Sequence, residues 1–470
     1  MQNYATENKK TNKINLKEQK TMKKSSVVKI LTASLLAIII CLSAIIPVFA
    51  ANPVSQGTGS DDPAGAAISK HLKVPVGTKI PDGGMTFTFD IKLTAVDEID
   101  VEQITAGDKP IKNSNPIVAY TIDITYSASD FDGLKKTYKD YIADGNTYTF
   151  INESSDIFAG VTFPHEGLYE FEITEKEKTY TIADANHETV TYSGAKYLVT
   201  AYVMKDDDTG LLFIKFVSAV VIIPDNEEQK VDEKVDPTPN APDGKGHSDM
   251  IFTNTYVRTN GTGDGDEEPE DTSDATLSIS KTVTGDFGNK SLHFDFTLTI
   301  TVPELVTEPK EAYIAYIVEE DENGDYALIV YTESGDPVTI EFENETPNTF
   351  QLKHGQKLVF VDTPVGTTYD VNETGSKNYK PSVAVIYDSG TAVVTDSISL
   401  ETDLTGKDLG VTDELVGEDT NSADFTNEND TTTPTGLDLN DLPFIGMIVI
   451  AIIGISIYII FKTRKKNSMQ

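Results

Sequence analysis

Two regions of this sequence alternate apolar and polar residues as half-buried strands do, yet set a lysine, a glutamate and an asparagine on the apolar side. In a strand, residues two apart share a face. Lys70 therefore points with Ile68 and Leu72, and Lys281 with Ile279 and Val283. Glu175 follows Tyr169, Phe171 and Ile173 in step, and Glu373 follows Tyr369 and Val371. Asn254 shares the face of Phe252 and Tyr256, and Asn427 that of Phe425. An unpaired charge on such a face is costly, so in each region the three polar groups should meet one another. The fold must therefore bring three sequence-distant strands together, and do so twice.

The strand pattern supports that requirement. Met85, Phe87, Phe89, Ile91 and Leu93 alternate with polar residues, as do Phe294, Phe296, Leu298 and Ile300. Turn clusters such as Glu322-Asn323-Gly324-Asp325 and Glu333-Ser334-Gly335-Asp336 punctuate hairpins. No long helical period appears outside the chain ends. The expected fold is all-β: two tandem Ig-like or prealbumin-like antiparallel β-sandwiches. The expected boundaries are a polar leader at 51–64, domain 1 at 65–257, an acidic Gly-rich linker at 258–274 and domain 2 at 275–428. The two domains read as diverged copies. Ile68-Ser69-Lys70 matches Ile279-Ser280-Lys281, and Phe252-Thr253-Asn254 matches Phe425-Thr426-Asn427.

Composition narrows the function. The chain has 38 Lys and Arg against 75 Asp and Glu, a net charge of −37. No nucleic-acid partner is expected from such a balance. Its one cysteine, Cys41, excludes a disulfide scaffold and multi-cysteine metal sites. The six histidines have no ligand spacing, and neither a Gly-x-Ser-x-Gly elbow nor a P-loop is present. Asp321 to Asp325 has calcium-type residues but the spacing of a hairpin turn. No metal, no cofactor and no turnover enzyme are expected.

The ends address the chain. Residues 1–50 carry eight lysines and two acids. Lys23, Lys24 and Lys29 precede an apolar run from Ile30 to Ala44, and Val48-Phe49-Ala50 supplies small residues for cleavage before Ala51. This reads as a signal peptide starting at Met1 or Met22. Cys41 leaves with it. Leu442 to Phe461 is uncharged and long enough to span a bilayer, with Lys462, Arg464, Lys465 and Lys466 behind it. The segment 429–470 thus ends in a membrane anchor.

Burial drives a lysine toward the neutral amine and a glutamate toward the neutral acid. A neutral amine is a nucleophile, and a protonated carboxyl can hydrogen-bond the asparagine carbonyl and shuttle a proton. The product is a Lys–Asn isopeptide bond formed once, with loss of ammonia. The plain alternative is a buried Lys–Glu salt bridge with asparagine as a satisfying partner.

The Ile-x-Lys openings, the Tyr-x-Phe-x-Ile-Thr-Glu strand and the closing Phe-x-Asn resemble the isopeptide-linkage domains of Gram-positive major pilins. Leu352-Lys353-His354-Gly355 leading into Thr363-Pro364-Val365-Gly366 does so as well. Over 65–436 the chain is similar to the two-domain backbone pilins of streptococci. The resemblance implies Lys70–Asn254 and Lys281–Asn427 as bonded pairs, with Glu175 and Glu373 as their catalysts. Thr432-Thr433-Pro434-Thr435-Gly436, followed by a span and a basic tail, resembles a sortase sorting signal cut between Thr435 and Gly436. Two threonines stand where the usual signal has Leu-Pro. The partners implied are a sortase, neighbouring pilin subunits, peptidoglycan and a host ligand, at the Gram-positive cell wall. In those pilins the acceptor lysine precedes the closing strand of the first domain, and Lys245 occupies that place here. The alternative function is a wall-anchored adhesin or stalk that does not polymerise.

Overall fold

The computed structural model describes residues 54–430, apart from 128–130, 133–134, 137–140, 183–184, 186, 241–245, 260–268, 270–274, 308, 332–333, 389 and 396–406. The expected signal peptide, Lys245, most of the expected linker, Thr435, Gly436 and the expected span 442–461 lie outside the described residues. Among the described residues, no helix is long and apolar enough to cross a membrane.

The described structure is all-β. Domain 1 is built on β1 (Ser69–Pro75), β2 (Met85–Val96), β3 (Ala119–Tyr126), β4 (Thr147–Glu153), β5 (Gly167–Glu175), β6 (Glu188–Thr191), β7 (Lys196–Lys205), β8 (Leu212–Ile223) and β9 (Ile251–Arg258). One sheet runs β8-β7-β5-β2, with β3 also on β2; the other runs β4-β1-β9-β6. Domain 2 uses β10 (Leu277–Thr284), β11 (Phe294–Thr301), β12 (Tyr313–Glu320), β13 (Asn348–Leu352), β14 (Gln356–Phe360), β15 (Thr368–Glu373), β16 (Lys380–Ile386), β17 (Leu409–Leu415) and β18 (Ser422–Glu428). Its sheets run β12-β14-β10-β18-β16 and β13-β11-β15-β17.

The pairing departs from a purely antiparallel sandwich at two places. The first and last strands of each domain, β1 with β9 and β10 with β18, lie side by side and parallel. The sheets meet through side chains of the alternating strands. Phe89 of β2 packs edge-on against Phe252 of β9 at 5.1 Å between ring centroids, and Phe296 of β11 against Phe425 of β18 at 5.2 Å. Offset and edge contacts of this kind favour the aromatic quadrupoles. The apolar stripes identified by period two are the buried ones: Phe87, Phe89, Ile91 and Leu93 are fully enclosed.

The ends of the blocks are more ordered than their composition suggests. Ser55–Gln56, in the expected polar leader, forms a short strand on the edge of β8. Arg258, assigned to the linker, instead completes β9, and Thr259 bridges to Pro364 of domain 2. The domains touch directly at that point. The Val365 amide donates to the Arg258 carbonyl at 2.8 Å. Gly366 has φ +88, and a Cβ there would lie 2.4 Å from Pro75 Cβ of domain 1. Glycine is needed for both reasons.

Charges complete the junction. Glu418 accepts from the Lys79 backbone amide at 2.5 Å and from Arg258 Nη1 at 2.9 Å. Lys79 Nζ lies 2.9 Å from Asp388 and 2.7 Å from Asp419. Burial raises Glu418 from 4.5 to about 7, against the pull of Lys79 and Arg258. The folded protein therefore holds a proton that the unfolded chain has released between about pH 4.5 and 7, and stability falls as pH rises through that window. Glu418→Gln should flatten this dependence. Denaturant titrations at about pH 5 and about pH 8 should show the parent losing on the order of 1–3 kcal/mol relative to the variant. Equal slopes in the two proteins would contradict the assignment.

Candidate functional site

In each domain the parallel first and last strands deliver a lysine and an asparagine to the same place. Lys70 is the register partner of Phe252, two residues before Asn254, and Lys281 is the partner of Phe425, two residues before Asn427. The offset is identical. Both side chains point through the core to the glutamate at the end of the facing sheet's strand, Glu175 on β5 and Glu373 on β15.

Of the nine sequence-predicted site residues, the six that lie among the described residues come together as two trios. In domain 1, Lys70 Nζ lies 3.0 Å from Glu175 Oε2, and Asn254 Nδ2 donates to Glu175 Oε1 at 2.7 Å. In domain 2, Lys281 Nζ lies 2.7 Å from Glu373 Oε2, and Asn427 Nδ2 donates to Glu373 Oε1. The lysine side chains are fully buried, and the glutamates are exposed by 1 % or less. Each ammonium also faces an aromatic ring, Phe87 at 4.8 Å and Phe294 at 4.3 Å from the centroids. These phenylalanines occupy equivalent positions on β2 and β11.

Burial sets the electrostatics. It brings both Lys70 and Lys281 down to about 8, with the neighbouring glutamates, and Asp225 for Lys70, pulling the other way. It raises Glu175 and Glu373, opposed by the lysines and the asparagine amides, and at Glu175 also by the Ser193 backbone N–H. Both shifts favour the neutral amine and the neutral acid.

The amide orientation differs from the sequence-based expectation. The glutamate meets the asparagine nitrogen, not its carbonyl oxygen. One glutamate oxygen faces the lysine and the other accepts the Nδ2–H, which leaves Oδ1 turned away from the carboxyl. In domain 1 that oxygen accepts the Ser193 backbone N–H at 2.7 Å. In domain 2, among the described residues, Asn427 Oδ1 is buried with no hydrogen-bond partner. Ser193 and Asp225 were not legible as site residues. Tyr192-Ser193-Gly194 and Pro224-Asp225-Asn226 read only as turns, with no strand period to aim them.

A third trio supplies a contrast. Lys353 Nζ lies 2.8 Å from Glu319 Oε1, and Gln356 Nε2 donates to Glu319 Oε2 at 3.0 Å. The lysine is 29 % and the glutamate 38 % exposed. Partial burial would raise Glu319, but the bonds from Lys353 and Gln356 outweigh it and hold the carboxyl below its ordinary range. Residue types alone do not favour a neutral amine beside a neutral acid; enclosure does. Among the described residues, no group of His, Cys, Asp or Glu is arranged to hold a metal ion.

Both domains are similar to domains of known families. Residues 275–429 match a domain of unknown function, DUF7601. A pilin of Streptococcus pyogenes serotype M1 is 27 % identical over 197 residues, which are 41 % of this chain and 49 % of that protein. The chain thus matches about half the length of this curated relative. A solved major pilin of Streptococcus pyogenes is 20 % identical, covering 78 % of this chain and 99 % of that one with a TM-score of 0.29. Another, the T3.2 major pilin of the same species, is 18 % identical over 80 % of this chain and 100 % of that one, with a TM-score of 0.27. Residues 66–257, which hold the first trio, match the FctA family, described as a Spy0128-like isopeptide containing domain. The first β-domain of this chain is thus similar to FctA-type, Spy0128-like isopeptide containing domains.

Proposed function

We propose that the chain is a backbone subunit of a surface pilus, with each domain stapled by one Lys–Asn isopeptide bond. The observation that carries this reading is the repeated trio: one carboxyl bridges a buried amine and a buried amide, at the same register, in both domains.

The chemistry balances within the trio. The neutral Lys70 amine attacks Cγ of Asn254, forming the new C–N bond. Glu175 takes a proton from Nζ at one oxygen and delivers one to Nδ2 from the other. The Cγ–Nδ2 bond breaks and ammonia leaves, with the carboxyl returned to its starting state. Lys281, Glu373 and Asn427 are arranged for the same step. Each bond is made once, so the chain is not a turnover enzyme. The reaction needs one proton shared by amine and carboxyl. Below the glutamate step the amine is protonated; above the lysine step the acid is lost.

The location of the bonds gives them a mechanical meaning. The chain enters each domain on its first strand and leaves on its last. A link between those strands carries tension past the intervening sandwich. By analogy with a disulfide closing a long loop, each bond adds on the order of 5 kcal/mol through the unfolded state. This staple needs no oxidising environment, which suits an exported chain whose one cysteine lies in the signal peptide.

Assembly rests on the sequence. A sortase would cut between Thr435 and Gly436 and pass the Thr435 carbonyl to Lys245 of a neighbouring subunit or to peptidoglycan. The span 442–461 holds the precursor in the membrane until then. A host ligand would meet the shaft at the cell surface.

Intact mass of the exported protein should fall short of the mass of its mature sequence by two ammonias. Glu175→Ala and Glu373→Ala should each restore one, whereas Glu319→Ala should restore none. A full sequence mass in the parent would refute the reading. Glu175→Ala should also destabilise domain 1 by about 3–5 kcal/mol beyond the lost link, because Lys70 is left buried and unpaired. Glu319→Ala should cost less than about 1 kcal/mol, and denaturant unfolding separates the two. The rate of ammonia loss in newly made protein should be bell-shaped in pH, with its alkaline limb near pH 8. A rate that climbs steadily to about pH 10 would exclude the carboxylic acid as proton donor. Wall-released material should form an SDS-resistant ladder whose branched peptides join Lys245 to Thr435; a single band would point to a non-polymerising adhesin.

A further inference from the structure

The two trios share one lysine–glutamate–asparagine geometry, with Asp225 near Lys70 and the Ser193 N–H near Glu175 added in domain 1. They differ at the atom where negative charge develops. Attack on Cγ converts the amide oxygen Oδ1 to an oxyanion, and a donor already aimed at that atom lowers the barrier. In domain 1 the Ser193 N–H donates to Asn254 Oδ1 at 2.7 Å. Its position is held by Asp225. Ser193 Oγ donates to Asp225 Oδ1 at 2.6 Å, and the same oxygen accepts the backbone N–H of Thr253 at 2.7 Å. Thr253 Oγ1 donates to Asp225 Oδ2 at 2.5 Å. Thr253 directly precedes Asn254 on β9. Asp225 therefore ties the loop carrying the donor to the strand carrying the acceptor. Among the described residues of domain 2, Asn427 Oδ1 is enclosed without a donor.

We propose that the Ser193 N–H is a catalytic oxyanion donor for the domain 1 bond, that Asp225 is its positioning residue, and that the domain 1 bond consequently forms before the domain 2 bond. The proposal rests on the reading of Lys70–Asn254 and Lys281–Asn427 as bond-forming pairs. The electron pair from Lys70 Nζ forms the C–N bond while the carbonyl π pair moves to Oδ1, where Ser193 N–H meets it. Collapse returns that pair to the carbonyl and expels Nδ2, protonated by Glu175, as ammonia. A donor of this kind contributes about 100- to 1000-fold to rate when removed outright, and misalignment forfeits part of that.

The test follows both bonds in the full chain during cell-free synthesis. Samples are quenched in acid and denaturant at intervals, digested, and scored by mass spectrometry for the linked peptides of each domain. In the parent, the Lys70–Asn254 peptide should appear first. Ser193→Ala, which releases the loop from Asp225, and Asp225→Asn should slow that link about tenfold or more and leave the Lys281–Asn427 link unchanged. Each substitution is also placed in a Glu175→Gln background, where domain 1 cannot close. Unchanged melting there shows that alignment, not folding, was lost. Should a variant fail to fold, the order of the two links in the parent decides. Domain 2 closing as fast as domain 1, or domain 1 closing at parental rate in both folded variants, overturns the proposal. Failure of either link to form in the parent would instead sink the bond-forming reading beneath it.

Discussion

A carboxyl group enclosed between an amine and an amide is the contact on which each domain is organised. Taking Lys70 and Glu175 out of water costs several kcal/mol per ion, and their attraction offsets this only when geometry is close and the spare hydrogen-bonding capacity is used. The trio meets both conditions. One glutamate oxygen faces the lysine at 3.0 Å, and the other receives the asparagine amide at 2.7 Å. Three strands from two sheets must therefore keep fixed positions, and the parallel pairing of first and last strands follows from the need to bring Lys and Asn side by side. The rest of each sandwich packs around that demand, with Phe89–Phe252 and Phe296–Phe425 closing the layers beside the two sites.

Enclosure separates these sites from ordinary ion pairing. The trio of Lys353, Glu319 and Gln356 has the same chemical groups at similar distances, but water reaches it. There the carboxyl is held more acidic, while in the cores burial pushes carboxyl and amine toward each other. Within the cores, a smaller difference remains. Domain 1 supplies a backbone donor to the amide oxygen and domain 2 leaves that oxygen unpartnered among the described residues. The two copies thus share the lysine–glutamate–asparagine geometry while differing in the partner of the amide oxygen.

The domain junction shows the same principle in another setting. Glu418 is drawn in by Arg258 and the Lys79 amide, yet burial dominates its titration. Backbone contact at Arg258–Val365 and the close approach of Gly366 to Pro75 bring the domains together where composition suggested only a solvated tether.

Much of this was determined by the sequence alone. Strand periodicity assigned Lys70, Glu175, Asn254, Lys281, Glu373 and Asn427 to apolar faces, because a side chain's face is set by its parity along the strand, whatever the partner. The repeated Ile-x-Lys and Phe-x-Asn segments made two domains of one plan legible. Tertiary structure decided what parity cannot. It made the first and last strands parallel and neighbouring, since pairing depends on how the whole chain returns. It turned the asparagine nitrogen, not the oxygen, toward the glutamate, a choice made by the partners around the amide and not by strand parity. It brought Ser193 and Asp225, two turn residues with no periodic signature, to the buried amide of Asn254 and the strand that carries it. It also distinguished the enclosed trios from the wet one at Glu319. Local spacing determines direction; only the assembled core determines which groups lose their water.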